Sequence, residues 1–144
     1  MSEGGSHLPE PLVSTFSIVA LDLRNGDLGV AVQSKYFSVG PVVPWAEAGV
    51  GAIATQAWAN VSYGPEGLKL LRRGLSAEEV VEELTGKDPE RDRRQLGVVD
   101  ARGRVAVYTG ERCIPWAGSR TGRGYTVQGN ILTGPEVVEA MAEA

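Results

Sequence analysis

Asn60 and Asn130 each stand just ahead of a Gly-Pro-Glu triplet, Gly64-Pro65-Glu66 and Gly134-Pro135-Glu136. A proline with no N–H to leave unpaired suits the first turn of a helix, so each triplet marks a helix start. Helix N-termini present free N–H groups and the positive end of the helix dipole, which favour a carboxylate or a developing oxyanion. An asparagine beside such an end adds a side-chain donor. The same residue also suits the turn itself, because its side chain hydrogen-bonds the backbone two residues on. Ligand donor and turn former are both open for Asn60 and Asn130. Lys35, which follows Ser34 in AVQSK, could lower a neighbouring pKa or bind a carboxylate, or be an exposed structural lysine.

Other chemistries lack their residues. His7 is the only histidine and lies in a Ser/Gly/Pro-rich stretch, so a Ser-His-Asp or Cys-His centre would depend on a tail residue. Cys113 is the only cysteine, which excludes an internal disulfide and a cysteine-based structural zinc site; a packed thiol is expected. There is no His-Glu-x-x-His, Cys-x-x-Cys or EF-hand pattern, and no metal or other cofactor is expected. GSRTGRG at Gly118–Gly124 imitates a phosphate loop but lacks its Gly-Lys-Ser/Thr ending, and reads as a mobile loop. With a net charge of −4 and dispersed basic residues, the chain offers no nucleic-acid footprint. Arg91, Arg93 and Arg94 alternate with Glu90 and Asp92, the pattern of a solvated turn. No apolar run approaches the roughly 18 residues of a membrane span, and no signal peptide opens the chain, so a cytoplasmic protein with no membrane contact is expected.

The elements that must position these residues are legible in outline. Residues 1–11 read as a disordered leader and 12–144 as one domain. TFSIVALDL (Thr15–Leu23) reads as a strand covered on both faces, and Asn25-Gly26 as a hairpin turn into Leu28–Ser34. A Gly/Pro-rich loop leads through Pro44-Trp45-Ala46 to a strand at Gly51–Ala57. A helix runs from Pro65 to a stop at Gly74, and Ser76 and Glu79 have capping-box spacing for a second, ended by Gly86. A hairpin over Gln95–Thr109, a strand at Tyr125–Gln128 and a helix from about Pro135 complete the order. That last helix has no closing residue before Ala144, which predicts a continuation in a longer protein.

The halves repeat. Asp22-Leu23-Arg24 with Val30-Ala31-Val32 matches Asp100-Ala101-Arg102 with Val105-Ala106-Val107, and Val43-Pro44-Trp45-Ala46 matches Ile114-Pro115-Trp116-Ala117. Gln56 matches Gln128, and the Asn60–Glu66 segment matches Asn130–Glu136. An approximate twofold that places Trp45 on Trp116 and Gln56 on Gln128 is expected, with the tryptophans filling the core.

The run from Thr15 through QAWANVSYGP, continued by QLGVVD and by QGNIL in GYTVQGNILTGPEVVEAM, closely resembles an uncharacterised bacterial family, the domain of unknown function numbered 1028. That family is assigned to the Ntn-hydrolase-like superfamily, and the resemblance implies an α+β, four-layer α-β-β-α sandwich. It also implies a role for Thr15. In Ntn hydrolases the first residue of the first strand is a Thr, Ser or Cys whose free α-amine, with a pKa of about 8, serves as the base. Thr15 stands at that position, so an intact chain is expected to be inactive and a form beginning at Thr15 active.

Two functions follow as expectations. One is a hydrolase of an amide or related bond, with catalytic residues Thr15, Ser34 and Lys35 and with Thr55, Gln56, Asn60, Ser62, Gln128 and Asn130 around a small-molecule substrate. The other is a binding or assembly module that keeps the sandwich without turnover. Self-association as a homo-oligomer, most simply a dimer, is expected in either case.

Overall fold

The computed structural model describes residues 14–144; the expected leader lies outside them. The described residues build two four-stranded antiparallel sheets and three helices. In order these are β1 (Thr15–Leu21), β2 (Leu28–Ser34), β3 (Pro44–Glu47), β4 (Gly51–Ala57), α1 (Tyr63–Arg72), α2 (Ala77–Gly86), β5 (Arg94–Asp100), β6 (Val105–Thr109), β7 (Gly118–Gly122), β8 (Tyr125–Asn130) and α3 (Glu136–Glu143). A single 3-10 turn, Arg91–Arg93, precedes β5. One sheet has the order β2-β1-β8-β7 and the other β3-β4-β5-β6.

Two apolar clusters fix how these elements meet. Ile53, Leu96 and Val98 point from β4 and β5 to Tyr63, Leu68 and Leu71 of α1 and Val80 and Leu84 of α2. The opposite parity of the same strands, Ala52, Ala54 and Val99, packs with Val19 and Leu21 of β1. The central strands β4 and β5 are therefore buried on both faces, as a two-sided apolar run should be. β1, expected to be covered on both faces, instead alternates between buried and half-buried positions. The reason lies far along the chain: α3 packs against β7 and β8, and among the described residues the far side of β1 has no comparable helix contact.

Local chemistry agrees with the helix boundaries. The Ser76 hydroxyl accepts from the Glu79 N–H at 3.2 Å while the Glu79 carboxylate accepts from the Ser76 N–H at 2.7 Å, the full capping box. The first helix starts two residues ahead of Pro65, at Tyr63, and Gly74 beyond its end takes φ +96°. Gly64 and Gly67 let α1 lie directly on its sheet, since a Cβ at either would strike the Trp45 ring or Ile53. The expected loop at Gly118–Gly124 is a correction: Gly118–Gly122 is β7, paired with β8, and Gly124 makes the hairpin turn at φ +78°. Among the described residues no helix is long and apolar enough to cross a membrane.

The repeat is carried by the strand order and by the central ladders. Exchanging β1 with β5, β2 with β6, β3 with β7 and β4 with β8 turns the first sheet into β6-β5-β4-β3, the second sheet read from its far edge. Matching Asp22 to Asp100 makes Ser17 equivalent to Gln95. The ladders agree, with Ser17 opposite Gln128 and Gln95 opposite Gln56.

Two of the sequence matches do not survive the registers. Leu21 faces Leu28 and Val99 faces Val105, so Val105 corresponds to Leu28 and not to Val30. Trp45 sits within β3 opposite Ile53, whereas the equivalent place, opposite Tyr125, is held by Gly122. Trp116 lies ahead of β7 against Gly118, so the two Pro-Trp-Ala segments occupy different environments.

Candidate functional site

β1 and β8 bring Thr15 and Asn130 opposite each other at one end of the first sheet. At the same end of the second sheet the Trp58 backbone N–H donates to the Arg93 carbonyl at 3.1 Å. All four residues line one cavity of about 690 Å³ between the strand ends, with Gln56 also in its wall. Its apolar lining includes Val42, Val43, Val61, Ile114 and Ile131. Two non-glycine residues in the wall, Ala57 (φ +64°) and Ile131 (φ +55°), have left-handed backbone. For the β-branched Ile131 that conformation is costly, and the Ser14 hydroxyl donating to its carbonyl at 2.7 Å helps to hold it.

Thr15 itself is nearly buried, and its hydroxyl lies 2.7 Å from the Ser34 hydroxyl. Ser34 accepts from the Tyr36 N–H at 3.0 Å and donates to the Ser14 carbonyl at 3.2 Å. A hydroxyl has one hydrogen, so Ser34 can donate to the Ser14 carbonyl or to Thr15 but not to both, and either hydroxyl can be the donor of the 2.7 Å bond. The Ser14 carbonyl, which belongs to the peptide bond that ties up the Thr15 nitrogen, also accepts from the Lys35 backbone N–H at 3.2 Å. The Lys35 side chain is exposed and lies outside the cavity wall, so of the three expected catalytic residues Thr15 and Ser34 are brought together and Lys35 joins only through its backbone.

Beneath the cavity runs a buried polar chain that joins the sheets. Gln128 Nε2 donates to Ser17 Oγ at 2.7 Å, Ser17 Oγ to Gln56 Oε1 at 2.7 Å, and Gln56 Nε2 to Gln95 Oε1 at 2.8 Å. Asn130 Nδ2 donates to the same Gln95 oxygen at 3.0 Å, which fixes the amide; among the described residues its second hydrogen has no partner. Gln95 Nε2 in turn bonds Thr109 Oγ1 and the Gly129 carbonyl at 3.0 and 2.8 Å. Such a network specifies one arrangement of its members, because any unmade bond is expensive in so dry a place.

The remaining expected residues fall elsewhere. Thr55 is buried and donates to the Asn60 carbonyl at 3.1 Å; Asn60 Oδ1 accepts from the Ser62 N–H and hydroxyl at 3.1 and 2.8 Å. Asn60 and Ser62 face a separate open groove between α1 and α2 and shape the turn into α1. The two asparagines thus part company. From Gln56 to Gly64 the chain has two more residues than from Gln128 to Gly134, so counting along the strand the counterpart of Asn130 is Trp58. Gln128 lies in the interior network, its Oε1 without a partner.

Residues that the sequence reading passed over complete the site. Arg94 and Asp88 form a buried pair, Nε to Oδ2 at 2.8 Å, and the Tyr63 hydroxyl donates to the same oxygen at 2.6 Å. Arg94 also donates to the Trp58 carbonyl, which ties this pair to the cavity rim. Burial opposes the charged form of Asp88, but hydrogen bonds from Arg94, Tyr63 and the Glu90 N–H outweigh it and hold the carboxyl well below its usual range. Burial first, then the Asp88 hydrogen bond and charge, push the Tyr63 hydroxyl far above its ordinary value. The expected solvated turn is corrected here: Arg94 is buried, and the Arg93 guanidinium lies 5.8 Å from the centre of the Trp58 ring at the cavity rim. Alternating signs at Glu90–Arg94 could have been read as pairing partners as well as a solvated face. Cys113 is packed as expected, donating to the Arg94 carbonyl at 3.3 Å, and burial pushes its thiol up.

A family model described as a family of unknown function (DUF1028) matches residues 15–144. The chain belongs to this family. A crystal structure of protein SPO2555 from Silicibacter pomeroyi, also described under DUF1028, is similar at 35% identity and a TM-score of 0.88. The match covers 91% of this chain and 58% of SPO2555, so this DUF1028 chain spans little more than half the length of that relative. No curated protein matches the sequence. The matched part of DUF1028 begins at Thr15, the residue on the cavity floor. Among the described residues of this DUF1028 chain, no three His, Cys, Asp or Glu side chains are grouped to hold a metal ion.

Proposed function

We propose that this domain is an Ntn-type α-β-β-α sandwich that hydrolyses an amide or related bond with Thr15 as nucleophile, once the Ser14–Thr15 bond is opened. Two sheets sharing one apolar cluster, with α1 and α2 against one and α3 against the other, support the layering. The observation that carries the function is the Thr15 hydroxyl at the start of β1, 2.7 Å from the Ser34 hydroxyl and lining a cavity beside Asn130. The released α-amine of Thr15 would supply the base that an alcohol needs near neutral pH. Its oxygen then adds to the substrate carbonyl carbon, the amine leaves with the proton, and water resolves the resulting ester. The second Asn130 N–H would serve as the side-chain donor to the oxyanion.

Intact mass and turnover test this together. A protein beginning at Thr15 should hydrolyse small amides, Thr15→Ala should lose at least about a hundredfold of that rate, and Thr15→Ser should keep part of it. Hydrolysis by the unprocessed chain that persists in Thr15→Ala would remove Thr15 from the mechanism. The second reading, a binding module without turnover, is favoured by one feature: among the described residues no carboxylate or imidazole bonds the Thr15 hydroxyl. Ligand binding without turnover in a protein verified to begin at Thr15 would decide for it.

A further inference from the structure

The cavity above Thr15 has a charge opposite to that of the chain. The whole sequence carries −4, yet among the described residues the charged side chains in the cavity wall are Arg93 and Arg112 alone. No carboxylate accompanies them there. Arg93 is held over Trp58 and has only a 3.6 Å approach from Glu90, with both side chains substantially exposed. Such a contact is worth little and leaves the guanidinium available. Arg112 has no side-chain hydrogen bond or ion pair within the described residues, although its backbone N–H donates to the Asp92 carbonyl at 2.7 Å. That bond draws Arg112 to the turn that carries Arg93, and Gly110 permits it, since a Cβ there would strike the Asp92 backbone.

The rest of the wall defines what accompanies an anion. Trp58, Val61 and Ile114 expose apolar surface at the rim (66%, 44% and 49%), a combination that in a free protein marks a surface meant to be covered. The cavity volume falls in the range of about 300–1,000 Å³ common for small-molecule sites. Two planar, permanently charged forks beside an apolar wall match a carboxylate on an apolar body.

We infer that the cavity binds a small amide that carries a carboxylate, its carboxylate on Arg112 and Arg93 and its acyl body against Trp58 and Ile114. The amide half of this inference rests on the Thr15 reading; the carboxylate half does not.

Calorimetric titration of the chain with N-acetylglycine, N-benzoylglycine and N-octanoylglycine, each against its neutral N-acylglycinamide, separates the two. At least one acid should bind about tenfold or more tighter than its amide at low salt, as expected for charge-assisted bonds to arginine. That preference should fall below about threefold in Arg112→Gln and in Arg93→Gln. Arg102→Gln, on the β5–β6 turn, should leave it intact. Binding of no acid, equal binding of acid and amide, or a preference that survives both cavity replacements would overturn the inference. A protein beginning at Thr15 that binds the acids but never cleaves them would instead sink the hydrolase reading and leave the carboxylate site standing.

Discussion

Removing the Asp88 carboxylate should be among the most damaging single changes in the molecule. Its side chain is 7% exposed and that of Arg94 10%, so neither charge has water to fall back on. Asp88→Ala deletes both Arg94 contacts, at 2.8 and 3.4 Å, and leaves the guanidinium with the Trp58 carbonyl. It also orphans the Tyr63 hydroxyl, which is buried against α2, and frees the Glu90 N–H. Breaking a buried pair from one side typically costs about 3–5 kcal/mol, and the tyrosine loss overlaps with it rather than adding. A loss of about 4 kcal/mol is expected. At a urea m-value of about 2 kcal/mol/M, that moves the midpoint down by about 2 M. Replacing both partners, as in Asp88→Ala with Arg94→Leu, should cost less than Asp88→Ala alone, because no charge is then stranded. Urea unfolding followed by far-UV circular dichroism measures Asp88→Ala, Arg94→Leu alone and the double variant. A loss under about 1 kcal/mol for Asp88→Ala, or single losses that simply sum in the double variant, would refute this account of the pair.

The same carboxylate predicts an acid limb. Because its folded-state pKa lies below the ordinary 3.8, its contribution is complete above that value and is lost as pH falls. The urea midpoint should therefore start to drop as pH falls through about 4 and go on dropping below about pH 3, less steeply in Asp88→Asn, and an equal slope in the variant would count against Asp88 as the source. Gly97→Ala should destabilise by about 1–3 kcal/mol, because its Cβ would meet Gln128 Oε1 and lie 2.6 Å from Thr126 Oγ1 across the gap between the sheets. An unchanged thermal midpoint for that variant would mean the sheets are further apart there than described.

Local chemistry was the most legible part of the sequence. Asn25-Gly26, Ser76 with Glu79, and the two-sided apolar run at Gly51–Ala57 each name their own structure, because the interactions involved span a few residues. Long-range burial was less accessible. TFSIVALDL reads like a central strand, yet β1 is covered fully on one face only, since where α3 lands is decided a hundred residues later. The repeat was visible through Gln56 and Gln128, but the Trp45–Trp116 match misled, because a shared tripeptide does not set a ladder register. In the site, Thr15, Ser34, Gln56 and Asn130 were named and do converge. Trp58 and Arg112 were not, and Arg93 was read as part of a solvated turn, as nothing local distinguishes an arginine on a cavity rim from one in solvent.

The exchange that relates the two sheets also relates the walls of the cavity. Thr15 and Asn130 on one side stand where Arg93 and Trp58 stand on the other. If the two halves descend from one duplicated unit, an ancestor with identical halves would have presented the same pair of residues twice across its cavity. The present chain has a hydroxyl and an amide in one copy and a cation and an indole in the other. A substitution at position 58 or 93 therefore alters one wall and leaves 15 and 130 as they are, a separation that a symmetric pair of subunits, bound to change both walls at once, does not have.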